Sequence, residues 1–177
     1  AVVGCGTMGI MNAQVAKAFG ANVIMLDLSD KKVERAKSLG IGPVIHSGKT
    51  DPVEAVKKLT NGRGVDVVIG AVGNTKAYQQ AYAMLKPNRG RFLLFAAGYP
   101  KPELNIDPNE IHYRKIELIG TGGADLADFQ LAADLLNSSR IDASFIIPFL
   151  SLMSFPLLFQ MLWEVSPFQS AARSGCL

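Results

Sequence analysis

The chain's 177 residues, 49% of them hydrophobic, suffice to bury a core as one domain. Its net charge of +3 is small and scattered, which argues against a nucleic-acid partner. Cys5 and Cys176 form neither a disulfide framework nor a metal-ligand spacing. The apolar start has no basic n-region or cleavage site of a secretory signal, so a cytoplasmic location is the default expectation. The sequence begins without Met and already inside an apolar run, and it reads as a fragment or trimmed domain.

A first strand is expected at Ala1–Gly4, feeding Gly4-Cys5-Gly6-Thr7-Met8-Gly9 and then a helix over Thr7–Phe19. A G-x-G-x-x-G between strand and helix lets the chain turn tightly and aims helix amides at a pyrophosphate. The second strand, Asn22–Asp27, ends on an acid about 20 residues past the glycines, where a dinucleotide fold hydrogen-bonds the adenosine ribose. A carboxylate there accepts from both hydroxyls and repels a 2′-phosphate, which favours NAD over NADP. The alternative is that Asp27 serves the start of the helix at Ser29 or Asp30. Lys31, Lys32 and Arg35 follow closely and keep a 2′-phosphate from outright exclusion.

Further helices are expected at Asp30–Leu39, Pro52–Leu59, Thr75–Leu85 and Asp125–Leu136. They alternate with strands at Pro43–His46, Val65–Gly70, Arg91–Ala97 and Ile116–Gly120. Short apolar strands between amphipathic helices imply an α/β, doubly wound Rossmann architecture: a parallel six-stranded sheet with helices on both faces. The expected order is 3-2-1-4-5-6, with a ligand crevice beyond the strands' C-terminal ends, between strands one and four. The segments there, Ala71-Val72-Gly73-Asn74, Ala96-Ala97-Gly98-Tyr99 and Gly120-Thr121-Gly122-Gly123, are small and glycine-rich. They suit close backbone approach to a flat ligand, or else they are ordinary turns and caps.

In combination these segments resemble the coenzyme domain of the medium-chain, zinc-dependent alcohol and polyol dehydrogenases. Val2–Gly9 and Asn22–Asp27 carry the likeness, with Gly64–Ile69, Leu85–Arg91 and Asn109-Glu110-Ile111-His112-Tyr113-Arg114-Lys115. The last block is most similar to the sorbitol and threonine dehydrogenase branch. The resemblance implies NAD bound across residues 1–148. Gly4, Gly6, Thr7, Met8 and Gly9 would form the pyrophosphate turn, Asp27 would hold the ribose, and Lys32 would stand beside it. Val72 would lie at the adenine end, and Ala97, Gly98, Gly120 and Thr121 would line the nicotinamide. It also implies a homo-oligomer assembled partly through the edge strand near Ile116–Ile119.

The departures bear on activity. In the resembled family a zinc ion, held in an N-terminal domain not present in this sequence, polarises an alcohol or polyol oxygen while hydride passes to the nicotinamide. Nothing here replaces those ligands, since His46 and His112 lie far apart without Cys or carboxylate partners at ligand spacing. The expectation is a domain that binds cofactor without turning over substrate. The tail, 149–177, also departs. No charge occurs from Phe145 to Trp163, and Pro148, Pro156 and Pro167 interrupt any helix. An altered reading frame, an artificial end, or a hydrophobic segment packed on a partner would each account for it. The prolines and serines and the lack of flanking basic residues argue against a membrane span.

Three other readings compete. Tyr82 and Lys86 have the Tyr-x-x-x-Lys spacing of a short-chain dehydrogenase, but on the helix after strand four rather than strand five. A regulatory NAD-sensing domain would share the glycine turn and ribose acid without catalysis; the Asn109–Lys115 block weighs against it. Zinc-free quinone reductases commonly use NADPH, which Asp27 disfavours.

Overall fold

A computed structural model of the chain describes residues 1–146; the expected 149–177 segment lies outside them. The elements run β1 (Val2–Val3), α1 (Thr7–Ala18), β2 (Met25–Asp27), α2 (Asp30–Ser38), β3 (Val44–His46) and α3 (Pro52–Leu59). They continue as β4 (Val67–Gly70), α4 (Thr75–Ala83), β5 (Arg91–Leu94), α5 (Pro108–Arg114), β6 (Glu117–Gly120) and α6 (Leu126–Asn137). All the strands pair in parallel in the order β3-β2-β1-β4-β5-β6, the Rossmann order the sequence predicts.

Alternation along the central strands sorts the core onto two faces. Val3, Leu26, Ile45 and Val68 join a buried cluster with Val56 of α3 and Tyr78 and Ala81 of α4. Phe92 on β5 is fully buried and meets the Tyr78 ring edge-on, centroids 5.6 Å apart. Val2 and Met25, one residue out of step, are buried on the opposite face, and α1 and α2 pack against β1 and β2. The crossover from β3 to β4 therefore reverses the face that the helices cover, which opens the switch point between β1 and β4.

The strands are shorter than the apolar runs that announce them. Val65 makes only an isolated bridge to Leu85, and β5 ends at Leu94, because the chain beyond must turn to bring two loops together. Helix α5 was not expected from the sequence. Asp107 accepts from the Asn109 amide at 2.8 Å and Pro108 fills the first turn, a start signal that a seven-residue helix shows only at its N-terminus. Lys115, at φ 51°, ends it in the left-handed region.

Packing divides the chain into two units, Ala1–Phe129 and Gln130–Leu177, with the boundary inside α6. Within the second unit, α6 closes where the amides of Arg140 and Ile141 both donate to the Leu135 carbonyl, at 3.0 and 3.3 Å. Among the described residues no helix is long and apolar enough to cross a membrane.

Candidate functional site

The parallel sheet carries the β1, β2, β4, β5 and β6 C-termini to one edge of the first unit, so the expected residues share that edge by construction. At its centre the glycine turn is held by backbone geometry. Gly4 has φ +105°, which L side chains rarely adopt, and its amide donates to Leu26 O at 2.7 Å. A Cβ on Gly9 would stand 1.8 Å from the Gly4 carbonyl oxygen, so α1 can leave β1 this closely only with glycine there. Gly6 differs: a Cβ on it would meet nothing within 4 Å. Its open side lies at the start of α1, whose N-cap is Gly6 itself, with no side-chain cap and no acid in the first turn. By contrast α3, α4 and α5 are capped by Asp51, Asn74 and Asp107. Thr7 and Met8, both exposed, complete that first turn. Uncapped first-turn amides with the positive end of the helix dipole behind them are suited to an anion.

Asp27 closes β2 and does two things at once. Its Oδ2 accepts the Cys5 amide at 2.7 Å, and its Oδ1 accepts the Ser29 amide at 2.9 Å. Of the two readings of this residue, the one at the helix start has a physical counterpart in the Ser29 bond; the Cys5 bond is a further role, bracing the glycine turn. A carboxylate offers about four lone-pair positions, so two bonds leave acceptor capacity for hydroxyl donors. Lys32 is exposed on the first turn of α2, close enough for its charge to act on the Cys5 thiol. Arg35, expected among the cations facing a 2′-phosphate, instead donates from Nη2 to the Cys5 carbonyl at 3.2 Å. Burial, and then the Asp27 charge, push the Cys5 thiol up to about 12, so it stays protonated and takes no nucleophilic part.

The β4 and β5 ends meet backbone to backbone. A Cβ on Gly73 would lie 2.3 Å from Ala97 O, and one on Gly98 would lie 2.2 Å from Gly73 O. Loop packing by itself therefore demands these glycines. The Tyr78 hydroxyl, whose pKa burial raises, remains protonated and donates to Ala96 O, anchoring the β5 loop from α4. Val72 and Ala97 stay exposed beside this junction. Gly120 and Thr121, at the end of β6, are exposed too, and a Cβ on Gly120 would meet open space.

Beside Asp27, in register with it on β3, His46 places Nε2 3.1 Å from Asp30 Oδ1, and Lys49 bonds the same oxygen. The Lys49 ammonium holds the Asp30 carboxyl below its usual range. This cluster had no signature in the sequence, because its members become neighbours only when β2 and β3 pair. Among the described residues no group of three His, Cys, Asp or Glu is placed to hold a metal, so a zinc ion finds no fitting donor set there.

Tyr82 and Lys86 do not form a catalytic pair. Tyr82 is 9% exposed in the core cluster beneath the Arg114 guanidinium, and Lys86 pairs with Asp66 at 2.7 Å at the opposite edge of the sheet. That edge also holds a cavity of about 810 Å³ lined by Ala1, Lys17, Pro43, Leu59 and Arg63. Helices α1 and α3 end beside it, presenting carbonyls rather than amides, so it is unsuited to a pyrophosphate.

Fold, glycine turn and strand-tip acid together define a Rossmann domain of the dinucleotide-binding type. The chain belongs to the zinc-binding dehydrogenase family, whose model matches residues 7–138, within the medium-chain superfamily the sequence resembles. It is 32% identical over 148 residues to a sorbitol dehydrogenase of Halalkalibacterium halodurans, covering 82% of this chain and 43% of that protein. It is 33% identical over 150 residues to an L-threonine 3-dehydrogenase of Bacillus subtilis, covering 83% and 42%. The solved alcohol dehydrogenase of Aeropyrum pernix superposes with a TM-score of 0.71 at 27% identity, covering 78% of this chain and 40% of that one. The chain thus spans about two fifths of the length of these relatives.

Proposed function

We propose that residues 1–148 are the NAD-binding domain of a dehydrogenase acting on a polyol or secondary alcohol. The observation that carries this reading is the uncapped start of α1 behind Gly6, set beside a strand-tip acid with acceptor capacity to spare. Gly4 and Gly9 shape the turn, while Gly6, Thr7 and Met8 bring amides to the pyrophosphate. Asp27 accepts from the ribose hydroxyls, and Lys32 balances charge beside them. Val72 borders the adenine, and Ala97, Gly98, Gly120 and Thr121 border the nicotinamide. Bound NAD supplies a hydride acceptor. This chain's share is to position that ring, exclude water from one side and select the cofactor. By itself the chain would bind cofactor without turnover. Metal ligands and substrate contacts belong to a separate catalytic domain. The exposed β6 edge supports assembly into a homo-oligomer.

Parallel titrations with NADH and NADPH, followed by nicotinamide fluorescence, test the reading. NADH should bind at least about tenfold tighter than NADPH, since the 2′-phosphate brings a second anion against the Asp27 carboxylate. In Asp27→Ala that ratio should fall toward one. Equal affinity of the native chain for both cofactors would defeat the ribose assignment, and no binding of either would defeat the site.

A further inference from the structure

Arg35 stands on α2, 30 residues beyond the glycine turn, yet its guanidinium reaches back to the Cys5 carbonyl at 3.2 Å. The Cys5 amide is meanwhile held by Asp27 Oδ2 at 2.7 Å. Both polar groups of residue 5 are therefore engaged from the β2–α2 side. In a trans peptide the C=O and N–H point in opposite directions. With the Cys5 carbonyl drawn toward Arg35, the Gly6 N–H of the same peptide must point away from it. Gly6 is the N-cap of α1, and the space around its missing Cβ is open.

We propose that Arg35 is a positioning residue for a diphosphate ester, acting through the Cys5–Gly6 peptide. By fixing the Cys5 carbonyl it presents the Gly6 amide on the open side of the turn. A positive charge on the carbonyl also polarises the peptide and strengthens its N–H as a donor. Arginine suits this role because its guanidinium stays charged at every working pH and donates along fixed directions. The inference rests on the cofactor reading above, which places the diphosphate at this turn. It assigns to α2 a part in phosphate recognition that neither the glycine motif nor the ribose acid contains.

The test compares the native 177-residue chain with Arg35→Gln and Arg35→Lys, using NADH, ADP-ribose and adenosine as probes. NADH is followed by fluorescence, and the other two by amide resonances. Arg35→Gln should weaken NADH and ADP-ribose on the order of tenfold, the usual reach of one charged hydrogen bond. Adenosine, which lacks the diphosphate, should change by no more than about twofold. ADP-ribose should shift the Gly6 amide resonance in the native chain and much less in Arg35→Gln, with partial recovery in Arg35→Lys. A merely structural arginine would weaken adenosine as much as NADH, and that result overturns the proposal, as does unchanged NADH affinity in Arg35→Gln. If the glutamine variant fails to fold, the lysine variant decides: unaltered ADP-ribose affinity and an unmoved Gly6 response would sink the idea. A native chain that binds neither NADH nor ADP-ribose would defeat the cofactor reading itself, whereas a native chain that binds both with indifferent Arg35 variants defeats only this assignment.

Discussion

Gly6 and Gly9 belong to one sequence motif yet answer to different constraints, and their substitution separates binding from stability. A methyl group on Gly9 collides with the Gly4 carbonyl oxygen at 1.8 Å, and the obstructing atom is backbone, with no rotamer to yield. Gly9→Ala should therefore lose about 1–3 kcal/mol of unfolding free energy, the range of an overpacked core, read from urea denaturation. Gly6 has φ −69° and open space at its Cβ position, so alanine fits its backbone. Gly6→Ala should leave stability within about 0.5 kcal/mol of the native chain. Its methyl group would, however, occupy the open side proposed for the diphosphate, and NADH affinity should fall by about tenfold or more. A Gly6→Ala chain that binds NADH normally would place the ligand elsewhere. Asp27 is less separable, because the carboxylate proposed to accept the ribose hydroxyls also holds the Cys5 and Ser29 amides. Its removal should weaken NADPH as well as NADH, and for that reason the ratio of the two is the informative quantity.

At the level of elements, the helix starts differ in how they are satisfied. Asp51 accepts the Val53 and Glu54 amides at 2.9 and 3.0 Å and so caps α3, while Ser29 heads α2 without a side-chain cap bond. Asp51→Ala should cost about 1 kcal/mol by chemical denaturation, and Ser29→Ala close to nothing. Comparable losses from both would mean that Ser29 caps α2 after all and that the service of its amide by Asp27 is incidental. The same contrast shows what sequence pattern can reveal. Apolar runs spaced by amphipathic helices announce the strand order, because period and connection rules act locally. Strand ends were less legible: the run Arg91–Ala97 stays apolar past Leu94, but Gly73 and Gly98 require the backbones to converge there. Helix α5 was missed because seven residues show too little periodicity to stand out. The Arg35–Cys5 and His46–Asp30–Lys49 contacts were illegible for another reason. They join a side chain to a distant backbone carbonyl or to other side chains far apart along the chain, and no spacing encodes such a meeting.

For the whole molecule, the unsettled surface is the β6 edge. Among the described residues β6 pairs only with β5, so one row of its amides and carbonyls faces outward. All four of its residues are exposed, Leu118 and Ile119 by 37% and 36%. An edge that combines unpaired backbone with apolar side chains is a template for another strand, and proteins that remain monomeric usually blunt it with charge or proline. Glu117 supplies one charge, but it lies beside Arg91 of β5, with 3.3 Å between carboxylate and guanidinium, so that charge is largely offset within the sheet. A second copy of the chain can extend the sheet along Glu117–Ile119, while the glycine turn at β1 lies three strands away and only the β6 tip, Gly120 and Thr121, adjoins the proposed nicotinamide end. Sedimentation velocity at micromolar concentration should accordingly show an oligomer for the native chain. Ile119→Lys, which puts an ammonium group on the edge, should shift the population toward monomer and leave the affinity for ADP-ribose, which lacks the nicotinamide, within about twofold. A native chain that sediments as a monomer at every concentration would remove β6 as the assembly surface. Loss of ADP-ribose binding together with the oligomer in Ile119→Lys would show instead that assembly helps to shape the cofactor site.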